Sequence, residues 1–146
     1  MMQPKKTKFA KFQKITVSGT AQTCNFVAYG SYGLAVAENT KLTGKQLESI
    51  RKVVSRTMNR NGALYMRVFT QLPRTKKPVG TRMGGGKSGV EEWLAPVNKG
   101  TIILEVDNVS EKVAIEALNK AKFKLAIPCF IVKRKFAYLS WQLKML

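Results

Sequence analysis

Residues 64–97 read LYMRVFTQLPRTKKPVGTRMGGGKSGVEEWLAPV. Two apolar, strand-like runs, 64–69 and 90–97, bracket a glycine-rich basic segment over 70–89. That segment holds five cations (Arg74, Lys76, Lys77, Arg82 and Lys87), five glycines, two prolines and no acid. Proline cannot donate to a helix or sheet ladder, and glycine weakens a strand interior, so neither a regular helix nor a central strand fits. Long loops inside a compact domain are uncommon and are usually functional or disordered. Ten residues, half the segment, span at most about 33 Å when extended. The stretch reads as a basic finger on a folded base, and such a finger suits a polyanion.

Working outward, residues 24–37 read as strand material broken near Gly30 and Gly33. A helix follows. Thr43 with Gln46 three residues later is a capping-box pattern, and Gly62 suits a C-terminal stop. At helical spacing Leu47, Ile50, Val54 and Met58 share one face, with Lys45, Lys52, Arg56 and Arg60 nearly opposite. A solvated helix face is the ordinary meaning of such charges. Here only Glu48, between the two faces, relieves them, which favours a polyanionic partner. Past the finger, strands over 90–97 and 101–106 read as a pair joined by a tight turn at Asn98-Lys99-Gly100. A second helix runs from Ser110 as N-cap to about Lys124. Its apolar stripe is Val113, Ala114, Ala117, Leu118, Ala121 and Leu125, and Glu116 and Lys120 form an i,i+4 pair. A last strand covers 127–132. The tail aromatics Phe136, Tyr138 and Trp141 suit packing on this chain or a neighbour better than base stacking. Residues 1–20 are expected as a basic extended arm, 21–135 as one domain that includes the loop, and 136–146 as a C-terminal extension.

The charge balance agrees with the finger. The 146 residues carry 26 Lys and Arg against 8 Asp and Glu, a net charge of +18, with an ordinary 45% hydrophobic content. A field of that size attracts nucleic acid or anionic membrane and does not specify a fold. Cations spread along the whole chain favour nucleic acid: five fall within the first fourteen residues and six between Lys41 and Arg60. Histidine is absent, which removes the commonest general acid/base. Cys24 and Cys129 lie too far apart in sequence for a metal motif and are expected as reduced thiols. No apolar run reaches membrane-spanning length. The N-terminus lacks the apolar core of a secretory signal.

Several motifs fail on inspection. Gly86-Lys87-Ser88 invites a phosphate-loop reading, but the glycine required five positions earlier is Thr81, and a strand rather than a helix follows. Gly84-x-Gly86-x-x-Gly89 matches a dinucleotide fingerprint without the βαβ unit that gives it meaning. Glu91 and Glu92 point to opposite faces of a strand, so they cannot act as a facing acid/base pair, and ion pairing with nearby arginines is expected of them. No serine or cysteine has a histidine to activate it. The chain reads as a non-enzyme with no cofactor and no metal.

Read together, these segments resemble the universal large-subunit ribosomal protein family known as L sixteen, whose fold is shared with the L ten-e proteins. The similarity runs over residues 2–133. It is carried by Met2-Gln3-Pro4-Lys5-Lys6-Thr7-Lys8-Phe9, by Gly30-Ser31-Tyr32-Gly33-Leu34, and by Leu42-Thr43, Gln46, Glu48 and Arg51-Lys52. Arg67-Val68-Phe69, Pro73, Lys77-Pro78 and Arg82-Met83-Gly84 continue it through the finger. Gly86-Lys87, Glu91, Trp93, Ala95, Glu105, Asp107 and Val109 complete it. The resemblance implies an α+β fold: a mixed, largely antiparallel sheet with two helices on one side, a long basic glycine-rich loop and an extended N-terminal arm. It implies binding to large-subunit ribosomal RNA near the aminoacyl-tRNA site and peptidyl transferase centre, with tRNA and neighbouring ribosomal proteins as further partners and no membrane insertion. The candidate RNA contacts are Lys5, Lys6, Lys8, Lys11, Arg51, Lys52, Arg56, Arg60, Lys77, Arg82 and Lys87.

The chain also departs from the family pattern. Residues 13–23, Arg- and Gly-rich in family members, are neutral here apart from Lys14. Gly84-Gly85-Gly86 lacks a basic residue usual among those glycines, and the tail from Phe136 has no counterpart in typical bacterial members. These departures and the family-like start suggest a mitochondrial ribosome without a cleavable presequence, with a bacterial cytoplasm as the alternative. A basic membrane-surface module, or an RNA-binding module outside the ribosome, is the competing function. The membrane version requires a helix whose apolar side is free to enter lipid.

Overall fold

Thr43 starts the first helix as its sequence suggests. Its hydroxyl accepts from the Gln46 amide at 3.2 Å, and the Gln46 side chain accepts from the Thr43 amide at 2.9 Å, which closes the capping box. A computed structural model describes residues 2–134; the tail aromatics lie outside the described residues. The elements in chain order are β1 (Tyr32–Val36), β2 (Thr40–Thr43), α1 (Gly44–Thr57), β3 (Ala63–Met66), β4 (Leu72–Thr75), β5 (Val90–Val97), β6 (Ile102–Asp107), α2 (Glu111–Lys122) and β7 (Cys129–Lys133).

The α+β expectation holds, and the strands divide between two sheets. One has the order β3-β6-β1-β7, the other β2-β5-β4, and every strand pairing is antiparallel. The expected pairing of 90–97 with 101–106 does not occur. The turn is present, with the Thr101 amide donating to the Asn98 carbonyl at 3.0 Å, but it hands the chain from one sheet to the other. β6 is claimed by β1 and β3, and β5 by β2 and β4. The first strand is also shorter than expected. It begins at Tyr32, because residues 24–31 fold back over the face of the sheet and the Cys24 carbonyl takes the Ile102 amide at 2.8 Å.

The core lies between the sheets and the helices. Leu47, Ile50 and Val54 of α1, with Met58 just past its end, meet Ala114, Ala117, Leu118 and Ala121 of α2 above Leu34, Val36, Leu104 and Val106. α1 ends before Gly62. Asn59 and Arg60 both take left-handed backbone (φ 53° and 62°), which non-glycine residues seldom adopt in succession. A smaller cluster of Val27, Ala35 and Ile102 fills the far side of the β3-β6-β1-β7 sheet. Cys129 is buried, and desolvation pushes its thiol up to about 11. Cys24 is a second free thiol, half-buried.

Candidate nucleic-acid interface

The basic segment begins later than its composition suggests. Residues 72–75 form β4, an edge strand paired with β5, and the edge position is what admits Pro73. Across this ribbon Arg74 pairs with Glu92 at 2.8 Å and Lys76 with Glu91 at 3.4 Å. Both carboxylates therefore serve as ion-pair partners, one to an arginine and one to a lysine. Beyond that base, residues 77–87 are all exposed and hold Lys77, Arg82 and Lys87 with no acid. Gly84, Gly85 and Gly86 turn the tip with φ of 103°, 72° and 77°, a run that side-chain-bearing residues would resist. Lys77 Nζ donates to the Gly84 carbonyl at 3.2 Å and ties the tip back on itself.

The arm carries Lys5, Lys6, Lys8 and Lys11, all exposed, and has no helix or strand beyond an isolated bridge from Thr20 to Lys99. It is nonetheless held to the domain. The Thr70 hydroxyl donates to the Met2 carbonyl, and Lys41 Nζ donates to the carbonyl of Ile15. Asn98 Nδ2 donates to the Ser18 carbonyl at 3.3 Å. Arm and finger also cross-link: Lys11 Nζ reaches the Lys87 carbonyl at 2.8 Å, and Lys87 Nζ reaches that of Phe12. Arm and finger are thereby joined at Lys11, Phe12 and Lys87, a link that sequence spacing does not reveal.

The remaining four candidates form a second group. Arg51, Lys52, Arg56 and Arg60 line one open groove on α1 together with Ser55 and Asn59. The left-handed turn at Asn59 and Arg60 is what folds Arg60 back beside residues one to two turns earlier. Glu48 accepts from Arg51 at 2.7 and 2.9 Å and lies 4.0 Å from Lys52. That bond from Arg51, followed by the charges of Arg51 and Lys52, holds the Glu48 carboxyl below its ordinary range despite the opposing effect of burial. The groove therefore contains Arg51 and Lys52, which share Glu48, beside Arg56 and Arg60, with no acid among its lining residues, an arrangement that holds phosphate well. Leu47, Ile50 and Val54 on the apolar side of α1 are buried in the core, so they are not free to enter lipid. Among the described residues no helix is long and apolar enough to cross a membrane.

Sequence reasoning missed the role of Glu105. It is fully buried on β6, and its carboxylate accepts from the amides of Ala28 (3.2 Å), Tyr29 (2.6 Å) and Gly30 (2.8 Å) and from Arg67 Nη1. Burial alone would push this carboxyl up. The Gly30, Tyr29 and Ala28 amides, then the Arg67 charge, outweigh that and hold it below the ordinary range. Gly30 is required by contact, since a Cβ there would lie 2.6 Å from the Val106 carbonyl oxygen. The signal available in sequence was a lone acid inside the apolar run IILEV, which has to find a partner when buried.

Known proteins share this arrangement of segments. The family profile described as Ribosomal protein L16p/L10e matches residues 4–132, which takes in arm, α1 and finger. The chain is 44% identical over 135 residues to the large ribosomal subunit protein uL16 of Fusobacterium nucleatum, covering 92% of this chain and 94% of that protein. The protein of the same name from Bacteroides thetaiotaomicron is 44% identical over 137 residues, 93% and 95% of the two chains. That of Borreliella burgdorferi is 42% identical over 135 residues, 92% and 98%.

Proposed function

The chain belongs to the ribosomal protein L16p/L10e family, and from that membership we infer a structural constituent of the large ribosomal subunit, bound to ribosomal RNA and neighbouring ribosomal proteins. The family is one of ribosomal structural proteins and not of enzymes, and the absence of histidine from this chain supports a purely structural role. We propose that the RNA contacts are Lys5, Lys6, Lys8 and Lys11 on the arm, Arg51, Lys52, Arg56 and Arg60 in the α1 groove, and Lys77, Arg82 and Lys87 on the finger. The observation that carries this assignment is the concentration of cations on the arm, on the side of α1 turned away from the core, and on the finger. Their mechanism is neutralisation of phosphates that RNA segments would otherwise hold apart.

Binding to a large-subunit RNA fragment by the full chain tests the assignment. With about six phosphates engaged in duplex-like RNA, log affinity falls against log salt with a slope of about −5. Replacing the four groove cations with glutamine shallows the slope by up to about 4. An unchanged slope in that variant removes the groove from the interface.

We further propose that the finger tip lies toward the aminoacyl-tRNA site and supports tRNA placement. Its length, its exposure and its freedom from acid support this. Arg82→Ala is expected to impair tRNA use or late subunit maturation while leaving the melting temperature of the isolated protein unchanged. Unfolding of the domain by that substitution would instead make the loop structural. A mitochondrial ribosome is the proposed location, supported by the nearly neutral stretch 13–23 and the uncharged run Gly84-Gly85-Gly86. The relatives compared are bacterial, which makes a bacterial ribosome the alternative. Sedimentation of the protein with large subunits from purified mitochondria decides between them.

A further inference from the structure

One exposed feature is left over by the cationic surfaces. Leu64 and Met66 of β3 pack toward the helices, so Tyr65 between them points to the other face of the sheet. There it meets Tyr29, with ring centroids 5.6 Å apart and planes tilted by 33°. Arg67 lies against the same tyrosine, its Cζ 4.8 Å from the Tyr29 ring centroid. Tyr29 is still 60% exposed and Tyr65 38% exposed.

Single exposed aromatics are ordinary on protein surfaces. This group differs in being rigid. The backbone of Tyr29 is pinned through its amide to Glu105, between the equally bonded amides of Ala28 and Gly30. Arg67 is 12% exposed and is fixed by the same carboxylate, while its Nη2 donates to Cys24 Sγ at 3.6 Å. The acid that organises the cluster is wholly buried and already paired, so it presents no charge to repel a polyanion. A depression lined in part by Thr23, Cys24 and Phe69 also takes in Arg67.

We propose that Tyr29 and Tyr65, backed by Arg67, are a stacking platform for unpaired nucleobases of RNA. The proposal rests on the RNA-binding function above and names the part of the RNA this face takes: bases, where the arm, groove and finger take phosphates. Two neighbouring phenol rings, one of them against a planar cation, offer π surface that every base can use without sequence readout. The tyrosine hydroxyls keep the patch wettable, which suits a base edge better than the continuous apolar surface of a protein partner.

Two RNA hairpins with the same stem and loop length test it, one with a natural loop and one whose loop is abasic. Both carry the same number of phosphates. The full chain is expected to bind the natural loop more tightly by about 5- to 150-fold per stacked base. Tyr29→Leu with Tyr65→Leu abolishes that preference, Tyr29→Phe with Tyr65→Phe keeps it, and the salt slope on the abasic hairpin is the same for all three proteins. Equal affinity of the unsubstituted chain for both loops overturns the proposal, needs no variant to fold, and leaves the patch to a protein neighbour. Salt-dependent binding that ignores the bases sinks the platform alone. Binding without salt dependence sinks the electrostatic assignment of the cations as well.

Discussion

Glu105 shows how much one residue decides. Its carboxylate ties residues 28–30 and the Arg67 guanidinium to β6. Glu105→Gln keeps the shape but leaves Arg67 facing a neutral group, and a broken buried pair costs about 3 to 5 kcal/mol. Urea denaturation at neutral pH should show a loss at the lower end of that range, since glutamine still accepts from the amides. The pH dependence has a definite sign. Because the folded carboxyl titrates below its ordinary value of about 4.3, the unfolded chain takes up the proton first. The stabilisation is fully present above that value and is lost as pH falls through the folded one. The acid limb of stability should therefore be steeper in the unsubstituted protein than in Glu105→Gln.

At the scale of elements, α1 does two jobs on two faces, and its cap is the most economical place to disturb both. Thr43→Ala removes the hydroxyl that takes the Gln46 amide and is expected to lower stability by about 1 kcal/mol. Thermal melts followed by circular dichroism measure this directly. Features decided within a few residues were legible in the sequence: this cap, the apolar stripes of α1 and α2, the Glu116–Lys120 bond at 2.6 Å and the exposed finger. Those decided across the chain were not. The strands over 90–97 and 102–107 are neighbours in sequence, yet each finds its partners elsewhere, and no local pattern distinguishes a hairpin turn from a crossing between sheets. Pro73 and its neighbours read as loop because their strand character comes from β5, fifteen or more residues away. Of the candidate contacts, residue types and exposure were legible, whereas the joining of arm to finger through Lys11 and Lys87 was not.

Over the whole molecule, a net charge of +18 opposes compaction, and salt screens that repulsion. Raising ionic strength from about 20 mM to about 300 mM should raise the melting temperature of the free protein, while the same change weakens RNA binding. A melting temperature that falls with salt would mean that the ion pairs counted here outweigh the repulsion. The order β3-β6-β1-β7 bears on how such a chain is made. β1 is the earliest strand of its sheet to be synthesised, yet both its neighbours, β6 and β7, come near the end of the described chain. While translation proceeds, Tyr32–Val36 has no partner on either edge, and the sheet cannot close until residue 133 exists. Folding dominated by such distant pairings is slow and leaves apolar strands open to wrong contacts. Until then the sheet waits incomplete, and the mutual repulsion of chains with a net charge of +18 keeps the waiting copies apart.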